Sequence, residues 1–296
     1  MRILIAYNGS RIAEEALADL EQAGLPEDVE IDVLSVAESW PVPESEDKAM
    51  TRARFATNLL TKRFRFRNVN AQTSSGSPGY EILSRSRSFA PDLIVIGEER
   101  TPPADHNLFL RSTSQKVLTE ADCSVRIARG YPRRDSSPPR IIIGYDGSPG
   151  ARIAVEAVVG RHWPPNAEVR LVVVTDSSVL SSIGRFSPQM TNPRIEAKIA
   201  GQWAEALAAV PMQRLKNAGL EATLCVESGS PKNVLIKMAE AWNADTIFVG
   251  PHCQGNSYER FLLGSVSASV AACAHCSVEV VRKQDGHGTN TRNSIS

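Results

Sequence analysis

The chain has no surplus charge of either sign: 33 lysines and arginines balance 33 aspartates and glutamates. No global field is available to draw in nucleic acid or an anionic membrane, and neither partner is expected. Long apolar runs are missing too. Leu93–Ile96 and Leu171–Val174 are strand-sized, far short of the roughly 20 residues that span a bilayer. Cysteine is sparse and odd in number, five in 296 residues, which suggests no disulfide framework and fits reduced thiols in a cytoplasmic protein. The chain enters an apolar run at once, Arg2-Ile-Leu-Ile-Ala-Tyr7, leaving no room for a signal peptide.

Several chemical signatures are also lacking. No Gly-x-x-x-x-Gly-Lys-Ser/Thr loop appears, which excludes a P-loop NTPase. The five histidines pair with no serine or cysteine nucleophile in a recognisable motif. Cys273-Ala-His-Cys276 has the gap of a zinc knuckle but no second ligand pair, so structural thiols are expected. Arg63-Phe-Arg-Phe-Arg67 interleaves bases and aromatics as single-strand binders do, yet it is short and unrepeated, and reads as a helix end with one solvated face. No metal ligand and no catalytic residue is assigned.

What the chain does have is itself, twice. Arg2-Ile-Leu-Ile-Ala-Tyr-Asn-Gly-Ser10 recurs as Arg140-Ile-Ile-Ile-Gly-Tyr-Asp-Gly-Ser148, and Ser74-Ser-Gly-Ser-Pro78 as Glu227-Ser-Gly-Ser-Pro231. Pro91-Asp-Leu-Ile-Val-Ile-Gly97 recurs as Ala244-Asp-Thr-Ile-Phe-Val-Gly250, and Cys123-Ser-Val-Arg-Ile-Ala-Arg129 as Cys276-Ser-Val-Glu-Val-Val-Arg282. The offset grows from 138 to 153, a net insertion of fifteen residues in the second copy, placed in Asp176–Thr191. The reading is a first domain at 1–130, a proline-punctuated linker at 131–139, a second domain at 140–283 and a disordered tail at 284–296.

Each copy alternates short apolar runs with amphipathic stretches. Strands are expected at Ile3–Tyr7, Ile31–Val36, Ile141–Tyr145 and Val169–Val174, and long helices over about Asp47–Arg63 and Pro193–Asn217. Helices follow Ser-Pro in both copies, over Tyr80–Phe89 and Lys232–Trp242. Strands separated by helices give an α/β fold: two tandem Rossmann-like domains, each an open five-stranded parallel sheet flanked by helices. The last strands, Ser124–Ala128 and Ser277–Val281, are edge candidates.

In such a sheet ligands bind at the carboxyl ends of strands, where strand order reverses. That selects the loops after the first and fourth strands. In the second copy Gly250 ends a strand where the backbone must bend, and Gly264-Ser-Val-Ser267 opens a helix whose free N–H groups and dipole favour an anion. Ser265 and Ser267 either add hydroxyl donors or cap the helix.

This order of motifs resembles the universal stress protein family, over almost the whole chain and twice, as in a tandem member. The resemblance implies a five-stranded parallel α/β fold. In one branch it also implies ATP binding through glycine, two residues, glycine, nine residues, then glycine with serine or threonine. Carried over, it implies Asp146 and Val174 at the adenosine end and Gly250, Gly264, Ser265, Val266 and Ser267 at the phosphates. The expected ligand is ATP, with AMP or ADP as alternatives and magnesium as a candidate companion. Two departures stand out: Cys253 occupies the middle glycine position, and the loop from Gly250 to Gly264 is one residue longer than the pattern gives, with Gly255 a candidate substitute. The first copy departs further, with Asn8 for the aspartate, Arg100 for the middle glycine and Arg111 opposite Gly264, and is expected to be degenerate.

The resemblance also implies a stress-response or regulatory role without efficient catalysis. An interaction module with both sites lost, and a slow ATPase, are the alternatives. In single-domain relatives the last strand joins two subunits; here the two copies are expected to pair within one chain as a pseudo-dimer. A further homodimer and an unidentified protein partner stay open.

Overall fold

The computed structural model describes residues 1–39, 42–64, 66, 68–99, 110–130, 137–175, 193–251 and 263–282. Arg100, Cys253, Gly255, the insertion around 176–191, most of the linker and the tail at 284–296 lie outside the described residues.

The first half runs β1 (Arg2–Ala6), α1 (Arg11–Asp19), β2 (Glu30–Glu38), α2 (Glu46–Phe64), β3 (Asn68–Gly76), α3 (Pro78–Phe89), β4 (Leu93–Gly97), α4 (Ser112–Glu120) and β5 (Ser124–Ala128). The second half repeats it as β6 (Arg140–Gly144), α5 (Pro149–Val159), β7 (Glu168–Thr175), α6 (Pro193–Asn217), β8 (Glu221–Ser228), α7 (Pro231–Trp242), β9 (Thr246–Val249), α8 (Ser265–Cys273) and β10 (Ser277–Val280). Local chemistry sets the helix starts. Ser10 accepts from the Ala13 N–H at 3.2 Å and Ser148 from the Ala151 N–H at 3.1 Å, each capping its helix. Pro78, Pro149 and Pro231 occupy first-turn positions, where a missing N–H costs nothing.

The strands are ordered β3-β2-β1-β4-β5-β10-β9-β6-β7-β8 in one ten-stranded sheet. Pairing is parallel within each half and antiparallel where β5 meets β10. The two expected five-stranded sheets are thus fused through their last strands, which become the centre of the sheet. The outer edges are β3 and β8. Strand order reverses between β1 and β4, and again between β6 and β9, which opens a crevice at the carboxyl ends of each pair.

The junction is two-faced. Val125 and Ile127 of β5, with Val278 and Val280 of β10, join a hydrophobic core that continues from one half into the other. On the opposite face each half has its own core. The alternate residues Ser124, Arg126, Ser277 and Glu279 are polar and buried. Register places Arg126 opposite Glu279. Arg126 Nε donates to Asp19 Oδ2 at 2.6 Å and Nη2 to Thr246 Oγ1 at 2.9 Å, while Nη1 lies 3.5 Å from Glu279 Oε2. Arg161 pairs with the other Glu279 oxygen, and Ser277 donates to Asp19 at 2.6 Å. Charges alternate along Asp19, Arg126, Glu279 and Arg161, which is how four ions tolerate removal from water.

The set-aside motifs resolve locally. Phe64 and Phe66 stack at 5.5 Å, and Arg63 pairs with Glu21, so that stretch terminates α2 by packing; residues 65 and 67 lie outside the described residues. Cys276 is buried, and burial pushes its thiol up to about 12, partly opposed by nearby Arg129. No group of histidines, cysteines or acids able to hold a metal occurs among the described residues.

Candidate functional site

The crevice between β6 and β9 contains a cavity of about 230 Å³. Asp146, Val174, Gly250, Gly264, Ser265, Val266 and Ser267 all line it, although they come from four separate stretches of chain. Tyr145, Ser148, Val172, Leu235 and Pro251 complete much of the wall.

Asp146 sits just past β6, exposed, in a turn that Gly147 makes possible with φ +79°. Its Oδ1 accepts from the Ser148 N–H at 2.9 Å, which leaves the second carboxylate oxygen toward solvent and the cavity. Asn8 in the first half makes the same bond to the Ser10 N–H at 3.1 Å. The aspartate-to-asparagine difference between the copies therefore removes a charge and keeps the loop.

Val174 contributes backbone. The carbonyl of Val172 accepts from the Tyr145 N–H at 2.9 Å, the last rung between β7 and β6. Two residues on, Val174 turns its N–H and C=O the same way, past the end of β6 and into the cavity. A donor and an acceptor side by side suit the edge of a heterocyclic base.

The phosphate end is the start of α8. Gly264 is its N-cap, with no side-chain cap, and the first helical rung is the Ala268 N–H to the Gly264 carbonyl at 2.9 Å. The N–H groups of Ser265, Val266 and Ser267 thus have no acceptor within the helix. Ser265 is exposed and its hydroxyl is available, whereas Ser267 is buried and donates to the Gly250 carbonyl at 2.7 Å. Ser267 therefore ties α8 to the end of β9, and its proton is already committed. Gly250 has a different reason from the bend expected of it. A Cβ there would lie 2.1 Å from the backbone C and O of Gly150, so α5 and β9 meet backbone to backbone.

The first half keeps a cavity of about 240 Å³ in the matching place, with the same uncapped helix start at Ser112–Ser114, but two of its other polar groups are engaged by the protein. Val36, the counterpart of Val174, has its carbonyl taken by Arg52 Nη2 at 3.2 Å, and Arg52 is itself clamped by Glu44. Arg111 N-caps α4 and is drawn aside to Glu99 Oε2 at 2.7 Å and Glu98 Oε1 at 3.6 Å. Glu38 adds another carboxylate to the wall. A guanidinium already neutralised by two acids offers a phosphate little.

Sequence reasoning missed Arg52 as the partner of the Val36 carbonyl, Glu98 and Glu99 as partners of Arg111, and Pro251 and Leu235 as walls of the second crevice. The two acids directly follow the repeated Gly97 block and were legible as a difference from Pro251-His252. Arg52 was not, because nothing in a helical stretch announces which carbonyl its side chain reaches.

Comparison with known proteins agrees with this geometry at the level of fold and family. A family model described as the universal stress protein family matches residues 1–129 and again 139–282. A Staphylococcus aureus relative described under the same family name is 35% identical over 147 residues, covering 49% of this chain and 84% of that protein. Among solved structures, a universal stress protein from Archaeoglobus fulgidus matches 95% of this chain and 98% of its own, with a TM-score of 0.62 at 21% identity. A Pseudomonas aeruginosa protein of unknown function matches 96% of this chain and 93% of its own, with a TM-score of 0.62 at 15% identity.

Proposed function

The chain belongs to the universal stress protein family, and from that premise we propose that it is a regulatory adenine-nucleotide-binding protein with one working site, in its second domain. The ligand is ATP, with ADP or AMP as shorter forms of the same chemistry. The observation that carries the reading is the contrast between the two crevices. In the second, Val174 and a helix start opened by Gly264 line one cavity; in the first, Arg52 takes the Val36 carbonyl and the helix start carries Arg111, held by Glu98 and Glu99.

The division of labour follows from the chemistry. Apolar walls from Val172, Leu235 and Val249 cover a base, and Val174 reads its edge. Asp146 accepts from sugar hydroxyls, and the α8 N-terminus receives the phosphates. A cavity of 230 Å³ is below the ~300–1,000 Å³ of ligand pockets, so it encloses base and sugar while the phosphates lie at its mouth. Magnesium would arrive with the nucleotide, held mainly by phosphate oxygens and water. Asp146 is the one carboxylate on the described wall, and its Oδ1 is engaged by Ser148; among the described residues no base with an orienting partner lines the cavity, which favours binding over hydrolysis. The domain limits proposed are 1–130 and 140–283. The cytoplasm is the proposed location, in keeping with the four described cysteines, all free.

Isothermal calorimetry with ATP tests the reading, using Gly264→Glu as the control. A carboxylate at this N-cap suits the helix dipole and repels phosphate, so folding survives and binding does not. One ATP per chain, lost in the variant, is expected. No binding by the natural protein, two sites per chain, or equal binding by Gly264→Glu refutes it.

A further inference from the structure

Among the described residues the first domain supplies nothing to the wall of the second cavity, yet it reaches the far end of the helix that forms it. Arg129 follows β5 and is buried. Its Nη2 donates to the carbonyls of Ala271 at 2.5 Å and Ala272 at 3.3 Å, in the last turn of α8. Its backbone N–H is fixed by Ser277 Oγ at 3.0 Å, and that hydroxyl is fixed in turn by Asp19. The junction thus fixes the backbone from which the buried guanidinium reaches α8.

We propose that Arg129 is a positioning residue for the phosphate end of the second cavity, acting across the domain junction through α8. The proposal rests on the nucleotide reading above. Helix α8 has nine residues, a rod of roughly 14 Å with orphan N–H groups at one end and orphan carbonyls at the other. Phosphates meet the N–H end; Arg129 satisfies carbonyls at the other, where they are shut off from water. A cation there complements the helix dipole and fixes the axial position of the rod. Ser267 ties the same helix to Gly250, so α8 is held at one end by its own domain and at the other by its neighbour.

The arrangement has a built-in control. Arg282, in the matching place after β10, donates to the carbonyl of Leu118 in the last turn of α4 and to that of Cys123 just beyond it, and its backbone N–H is held by Ser124 Oγ at 3.1 Å. Each domain's last arginine thus seats the other's helix, but only α8 leads to an open crevice. A first domain whose own crevice has its carbonyl and cation engaged is retained, on this view, because it completes the second.

Calorimetry on the full chain with ATP and with adenosine tests this, using Arg129→Ala, Arg129→Lys and Arg282→Ala. Arg129→Ala is expected to weaken ATP roughly two- to tenfold and leave adenosine unchanged, since the residue acts only at the phosphate end. Arg129→Lys should fall between, and carries the comparison if the alanine variant does not fold. Arg282→Ala, an equal loss of a buried arginine, should leave both ligands unaffected. Absence of ATP binding in the natural protein overturns the nucleotide reading and this inference together. ATP binding that Arg129 variants leave unchanged, an equal loss for ATP and adenosine, or the same effect from Arg282→Ala overturns the positioning role alone.

Discussion

Gly250→Ala asks whether the glycine serves the ligand or the fold. A Cβ on Gly250 would stand 2.1 Å from the backbone C and O of Gly150 and 2.7 Å from the Ala151 nitrogen. Real Cβ contacts essentially never fall below 3.0 Å, so α5 and the end of β9 must part by roughly 1 Å. Neither group is a flexible side-chain tip; both are backbone, one in the first turn of α5 and one closing a strand. Overpacking a well-filled interior costs about 1–3 kcal/mol, and a forced backbone shift belongs at or above the top of that range. Against a total stability of about 5–15 kcal/mol, a loss of about 3 kcal/mol is easily read from urea unfolding followed by tryptophan fluorescence. Gly150→Ala meets the Pro251 carbonyl at 2.2 Å from the other side and should cost as much. The double variant should cost less than the sum, because the second methyl enters a gap that the first has opened. Gly201→Ala, in α6 with nothing within 4 Å of its Cβ, should instead stabilise by about 0.5–1 kcal/mol. A Gly250→Ala protein within about 0.5 kcal/mol of the natural one would refute the packing argument. Unchanged stability with lost ATP binding would return the residue to a purely ligand-facing role.

Glu279→Gln should be among the most damaging isosteric changes in the molecule. It leaves the buried guanidiniums of Arg126 and Arg161 with one fewer anion, and breaking a buried pair in this way costs about 3–5 kcal/mol; an unfolding midpoint unchanged from the natural protein would contradict that. Alkaline pH should also destabilise the fold. Burial pushes the Cys123 and Cys276 thiols up to about 12, against opposing pulls from nearby Arg282 and Arg129 respectively. Because the folded pKa lies above the ordinary thiol value, this stabilisation is complete below about pH 8.5 and is lost as pH rises from there toward 12, about 1 kcal/mol per thiol in the first full unit. Comparing urea unfolding at pH 8 and pH 10, a Cys123→Ala/Cys276→Ala chain should lose about 4 kcal/mol less than the natural one, and an equal loss in both would exclude the thiols as the cause.

The sequence by itself determined what periodicity and repetition can carry. Helix α6 at Pro193–Asn217 and the alternation that builds each half were legible because apolar spacing and proline or serine at helix starts are local properties. The repeat also pointed to the last strands as unpaired edges that seek each other, since a strand with free N–H and C=O groups needs a partner. Asp146 and the Gly264–Ser267 stretch could be marked because a turn and a helix start announce themselves in a few consecutive residues. Other decisions required three dimensions, because they depend on which groups from distant segments arrive at one point. Only the tertiary structure showed that Arg52, in a helix, takes the carbonyl of Val36 in a strand, and that Arg111, on the wall of the first crevice, is paired with two acids. Only it showed that Gly250 is a glycine for the sake of Gly150, a hundred residues away. The same holds for Arg126 and Glu279. Matching positions of a repeat but opposite in charge, they meet face to face at the centre of one sheet, where a buried ion must have its opposite.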